Sequence, residues 1–127
     1  MGAPQGTRDG RDKDMADHIT IRKAAGTWVV RAGGAIVGES SNALELVEGS
    51  APPVIYFPRE DIGMALLERT TSSTRCPYKG QASYFSVTTA AGDIPDAAWS
   101  YEDPLEGVAE IRGHIAFYPD KVTVERI

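Results

Sequence analysis

The sequence predicts an antiparallel β domain with one minor helix, and three observations lead there. From Ile19 onward the large apolar residues come in short runs of β-branched and aromatic side chains, not at helical spacing. Gly, Pro and Asn separate the runs. Several runs also alternate apolar with polar. In "KVTVERI", Val122 and Val124 face one way while Thr123 and Glu125 face the other.

Taken in order, "ITIRK", "TWVVRA" and "AIVGES" read as the first strands. The "AGG" at 32–34 is a hairpin turn between the second and third, since glycine accepts the positive φ that such turns need. "ALELVEG" and "PVIYFP" follow. "FPREDIG" reads as a turn or a single helical turn, with Pro58 fixing φ. "ALLERTT", "SYFSVTT", "HIAFYP" and "KVTVERI" complete the strands. The helix falls near residues 104–112, in "DPLEGVAEIRG". Asp103 is its N-cap, Pro104 its first position and Gly113 its terminator, and Gly107 limits it to one or two turns. Residues 1–17 offer almost nothing large and apolar to bury, so a disordered leader is expected before a single β domain over 18–127. "DGRDKD" in that leader has the look of a calcium loop, but the downstream Gly and Glu that such a loop requires are missing.

Composition narrows the function classes. At 127 residues the chain suits one domain with a real core. Its single cysteine excludes an intramolecular disulfide framework and multi-cysteine zinc sites, and suits a reducing, cytoplasmic setting. No metal site or cofactor is expected. No stretch approaches a membrane span, and the net charge of −5 argues against a general nucleic-acid partner.

Three segments have the residue types that make chemistry. In "RCPYKG", Arg75 and Lys79 flank Cys76, and cations beside a thiol stabilise the thiolate. Pro77 and Gly80 constrain that turn. The plainer alternative is a buried cysteine that acts as a small hydrophobe. In "AWSYEDP", Trp99 and Tyr101 share one face of a strand and, with Tyr56, Tyr78, Tyr84 or Tyr118, would form an aromatic wall. The plainer alternative is that these rings fill the wedge between sheets. In "PREDIG", Arg59 sits at a strand end, where it could clamp a carboxylate or phosphate. The expectation is that all three segments converge on one cleft.

The segments "PVIYFPREDI", "CPYKGQASYFSV" and "AWSYEDPLEGVAEIRGHIAFYPDKV" together resemble domain-of-unknown-function family 427, a family of small bacterial and fungal proteins, over nearly all of Ile19 to Glu125. The resemblance implies a β-tent: two antiparallel sheets meeting at an angle, as in methionine sulfoxide reductase B and the thalidomide-binding domain of cereblon. Many such relatives hold zinc with two cysteine pairs, which Cys76 alone cannot do. The family is also labelled nucleotidyltransferase-like. The residues give that label little support: there is no phosphate-binding glycine loop, and Asp61, Asp93, Asp96, Asp103 and Asp120 are scattered through turns.

Two functional readings follow. The first is a module that binds a small anionic or aromatic, nucleotide-like ligand through Tyr56, Arg59, Tyr78, Lys79, Tyr84, Trp99 and Tyr101. The second is an enzyme in which Cys76 is a nucleophile or redox thiol and Lys79 tunes it. An aromatic patch that docks another protein is a third, plainer possibility.

Overall fold

A computed structural model describes residues 18–127, so the expected leader lies outside the described residues. The described chain is mainly β, with ten strands in three antiparallel sheets. β1 (Ile19–Lys23), β4 (Leu44–Glu48) and β5 (Val54–Tyr56) make the first, in the order β1-β4-β5. β2 (Trp28–Ala32), β3 (Ala35–Ser40) and β10 (Thr123–Arg126) make the second, in the order β10-β2-β3. The third contains β6 (Leu67–Cys76), β7 (Gly80–Thr89), β8 (Gly92–Ser100) and β9 (Ala116–Phe117) in sequential order.

The all-β, antiparallel architecture is as expected; the described strands hydrogen-bond into three sheets, and the first and third meet at a seam that is cut short. Phe57 and Ile115 exchange a pair of backbone hydrogen bonds of 2.8 and 2.9 Å, but the next pair would need Arg59, where the chain has already turned into a 3₁₀ segment, Arg59–Asp61. The "AGG" hairpin forms as expected: Ala32 pairs with Ala35, and Gly33 and Gly34 take φ of 56° and 83°.

β8 is the strand least visible in the sequence, since "GDIPDAAWS" contains a proline and two aspartates. A bulge accommodates them. The β7–β8 register shifts between Phe85 and Val87, Asp96 takes φ of 48°, and its backbone N–H donates to Ser86 Oγ at 3.3 Å. The expected helix is reduced to a 3₁₀ segment, Glu106–Ile111, bent at Val108. Asp103 does not cap it and instead accepts from Arg112 at 3.2 Å. Gly113, with φ of 71°, ends it.

The third sheet separates two cores. Neighbouring strand residues point to opposite faces, so Phe85, Val87 and Ala98 pack toward Val30, Val37 and Phe57, while Ala82, Tyr84 and Trp99 pack toward Leu46 and Tyr56. Each fully buried side chain such as Phe57 or Ile115 contributes roughly 1.5–3 kcal/mol. Among the described residues no helix is long and apolar enough to cross a membrane.

Candidate functional site

The second of these faces does not close completely. Between the first and third sheets lies a cleft of about 220 Å³. Strand periodicity builds its walls. Leu46 and Glu48 alternate along β4, Val54 and Tyr56 along β5, and Trp99 and Tyr101 at the end of β8. Tyr84 of β7, Tyr118 just after β9, and Ala51 and Pro52 in the β4–β5 connection complete the lining with Lys79.

Lys79 arrives from the "CPYKG" turn. Its backbone N–H donates to the Cys76 carbonyl at 3.3 Å, and its own carbonyl accepts from Leu105 N–H at 3.0 Å, which pins the turn against the segment before the 3₁₀ helix. Gly80 then takes φ of 110°, which a side chain would resist. The result is a lysine only 8 % exposed, and a buried ammonium requires a partner. Glu48 provides it: Lys79 Nζ donates to Glu48 Oε1 at 2.7 Å. Burial by itself would lower the lysine pKa. The Glu48 hydrogen bond and the Cys76 sulfur outweigh it and hold Lys79 above the ordinary lysine value, so it stays charged. Burial would likewise raise the Glu48 carboxyl, but bonding to Lys79, and then to His18, keeps it below the usual range. His18 Nε2 lies 3.3 Å from the other Glu48 oxygen.

The aromatic groups interlock. Trp99 Nε1 donates to Tyr56 Oη at 3.3 Å, and the indole lies 4.5 Å from the Tyr118 ring. Tyr118 stacks on Tyr84 at 6.5 Å and donates to its hydroxyl at 3.4 Å, and that hydroxyl shares a 2.9 Å bond with Thr74. Desolvation, with the Tyr84 bond, pushes the Tyr118 phenol up to about 12. Tyr101 differs from the others. It is 6 % exposed, yet its hydroxyl makes no hydrogen bond to any described residue. Its pKa is raised first by burial and then by Cys76, Tyr84, Glu48 and Tyr118, so it remains a protonated donor among the groups of the cleft.

Of the residues singled out in the sequence, Tyr56, Lys79, Tyr84, Trp99 and Tyr101 therefore meet around one cavity. Three do not line it. Tyr78 packs edge-on against His18 with ring centroids 4.7 Å apart. Cys76 is half-buried against the cluster around Leu46 and Tyr56, behind Lys79. Arg59 lies on the opposite face of the third sheet, so the "PRED" segment does not join the other two. Past Pro58 the chain makes a 3₁₀ turn that carries the guanidinium over Phe85, 5.7 Å from its ring. There Arg59 Nε donates to the Gly113 carbonyl at 2.9 Å and Nη2 to Glu102 at 3.0 Å. Glu102 also accepts from Arg69 at 2.7 Å and from Ser83 at 3.2 Å, an arrangement that ties strands together.

Glu48 is not among the residues singled out in the sequence, where "ALELVEG" reads only as a strand. The available signal was its strand parity, two residues from the buried Leu46. Among the described residues no group of three or more His, Cys, Asp or Glu side chains is placed to hold a metal ion.

A family model for a domain of unknown function, DUF427, matches residues 20–127. The chain belongs to the DUF427 family. No curated protein matches it. In this DUF427 chain the match takes in the strands of all three sheets, apart from the first residue of β1, Ile19, and all of the cleft's lining residues.

Proposed function

We propose that the cleft binds a small planar aromatic ligand bearing an anionic oxygen. The observation that most supports this reading is the Tyr101 hydroxyl. It is a buried, protonated donor with no partner among the described residues, in a cleft whose one ammonium, Lys79, is a second donor. The hydroxyl belongs to a cleft wall that water can reach, so a ligand that supplies a charged acceptor gains by replacing a bond to water with a stronger, charge-assisted one. The Trp99, Tyr84 and Tyr118 rings suit a flat apolar face. A volume of about 220 Å³ equals roughly seven water molecules at ~30 Å³ each, which suits one ring with a short polar substituent better than a whole nucleotide. The thiol reading has less to support it, because Cys76 stands behind Lys79 and does not line the cavity.

Benzoate is a direct probe. With only two tryptophans in the chain, a ¹H–¹⁵N spectrum has two indole N–H signals. Titration should move the Trp99 signal, and Lys79→Met should weaken the saturation at least tenfold. An unmoved Trp99 signal at millimolar benzoate, or a shift that Lys79→Met leaves intact, would count against the reading.

A further inference from the structure

Trp99, Val54, Ala51 and Pro52 line a second cavity as well as the cleft. This groove, about 540 Å³, lies where strands of all three sheets meet, with Trp28 of β2, Ile55 of β5, Phe117 of β9 and Val124 of β10 in its walls. Its character is opposite to that of the cleft. Proline, tryptophan, phenylalanine and aliphatic side chains supply the surface. The one ionisable lining residue, Glu45, accepts from Arg22 at 2.7 Å, and the Trp28 indole N–H is already donated to the Ala25 carbonyl at 3.0 Å. The groove therefore offers a ligand contact area and almost no hydrogen bonding.

Size points the same way. Pockets for small molecules typically run to ≈ 300–1,000 Å³, and the cleft alone falls short of that range. The groove lies within it, and the two share Ala51, Pro52, Val54 and Trp99 in their walls. The groove's occupant has to be apolar, and the cleft's has to offer an acceptor.

Resting on the cleft reading above, we infer that cleft and groove form one bipartite site for an amphipathic aromatic acid, its ring and charged oxygen beside Lys79 and Tyr101 and an aliphatic tail laid along Trp28, Phe117 and Val124. Trp99 is the hinge of this recognition, touching both portions of the ligand. The Tyr56 bond and the Tyr118 contact hold its indole in place at the boundary of the two cavities before any ligand arrives.

The test is a series of benzoate and its para-ethyl, para-butyl and para-hexyl derivatives, titrated by calorimetry and by the two indole signals. Affinity should rise about fourfold per added methylene, the ratio that ~0.8 kcal/mol per buried CH₂ corresponds to, and the Trp28 signal should begin to move once the tail is present. Pro53→Glu and Pro119→Glu place a carboxylate in the groove from two exposed positions that do not line the cleft. Each should abolish the chain-length increments, and unchanged melting temperatures would show both variants folded. If benzoate shifts Trp99 but longer tails add nothing, the bipartite inference is wrong and the cleft reading stands. Increments that survive both prolines' replacement would place the tail elsewhere and overturn it equally. If only the alkylated members bind, and Lys79→Met leaves their affinity unchanged, the cleft reading itself has failed and the inference with it.

Discussion

Replacing Tyr101 by phenylalanine separates stability from binding. The ring is 6 % exposed and packs among Leu46, Tyr56, Val108 and Ile111, so phenylalanine keeps nearly all its contacts. What disappears is one hydroxyl that has no partner among the described residues; as part of a cleft wall that water can reach, it costs at most the low end of about 1–3 kcal/mol. Losing its oxygen leaves a void smaller than a methyl group, which takes back part of the gain. The expected net effect is neutral to stabilising, by at most about 1 kcal/mol, or a rise of no more than about 3–5 °C in melting temperature for a domain of this length. Ligand affinity moves the other way. A hydrogen bond to a charged acceptor contributes ≈ 1.5–3 kcal/mol, so benzoate should bind roughly tenfold to a hundredfold more weakly. Urea unfolding, analysed with a common slope, gives the first quantity, and titration of the Trp99 indole signal gives the second. A Tyr101→Phe protein destabilised by more than about 0.5 kcal/mol would show that the hydroxyl is bonded in the free protein, and the reasoning would fail.

Arg59→Lys should destabilise by about 1–3 kcal/mol, because lysine cannot bond Gly113 and Glu102 together, yet benzoate affinity should change less than twofold. A large loss of affinity would put Arg59 back at the cleft. Cys76→Ser should cost on the order of 1 kcal/mol in packing and leave binding intact, and loss of binding would revive a direct role for the thiol. The depressed carboxyls of Glu48 and Glu102 contribute stability that is fully present above the ordinary glutamate value near ≈ 4.3 and is lost as pH falls through their lowered folded values. Stability should therefore drop more steeply between about pH 5 and 3 in the parent protein than in Glu102→Gln, and equal slopes in acid urea titrations would contradict the assignment.

Local rules were enough to show most strands, because alternation along a strand depends only on neighbouring residues. "ITIRK" fills β1 from end to end, and two adjacent glycines mark the β2–β3 turn. The same parity put Trp99 and Tyr101 on one face before any sheet was known. Parity also hid things. β8 was obscured by Pro95 and Asp96, which are tolerable only because β8 bulges there, with Pro95, Asp96 and Ala97 opposite Ser86, whose hydroxyl meets the Asp96 N–H. Nor could parity say which face confronts which. Tyr56 and Arg59 are three residues apart, yet the turn after Pro58 sends one to the cleft and the other to Glu102 across the third sheet. Glu48 and Lys79 are 31 residues apart and become partners only because β4 packs against the turn that follows β6. The sequence by itself determined which side chains share a strand face, since the pleat is local. Only the tertiary structure decided which faces meet, since that depends on three sheets packing together and on where their ladders are cut.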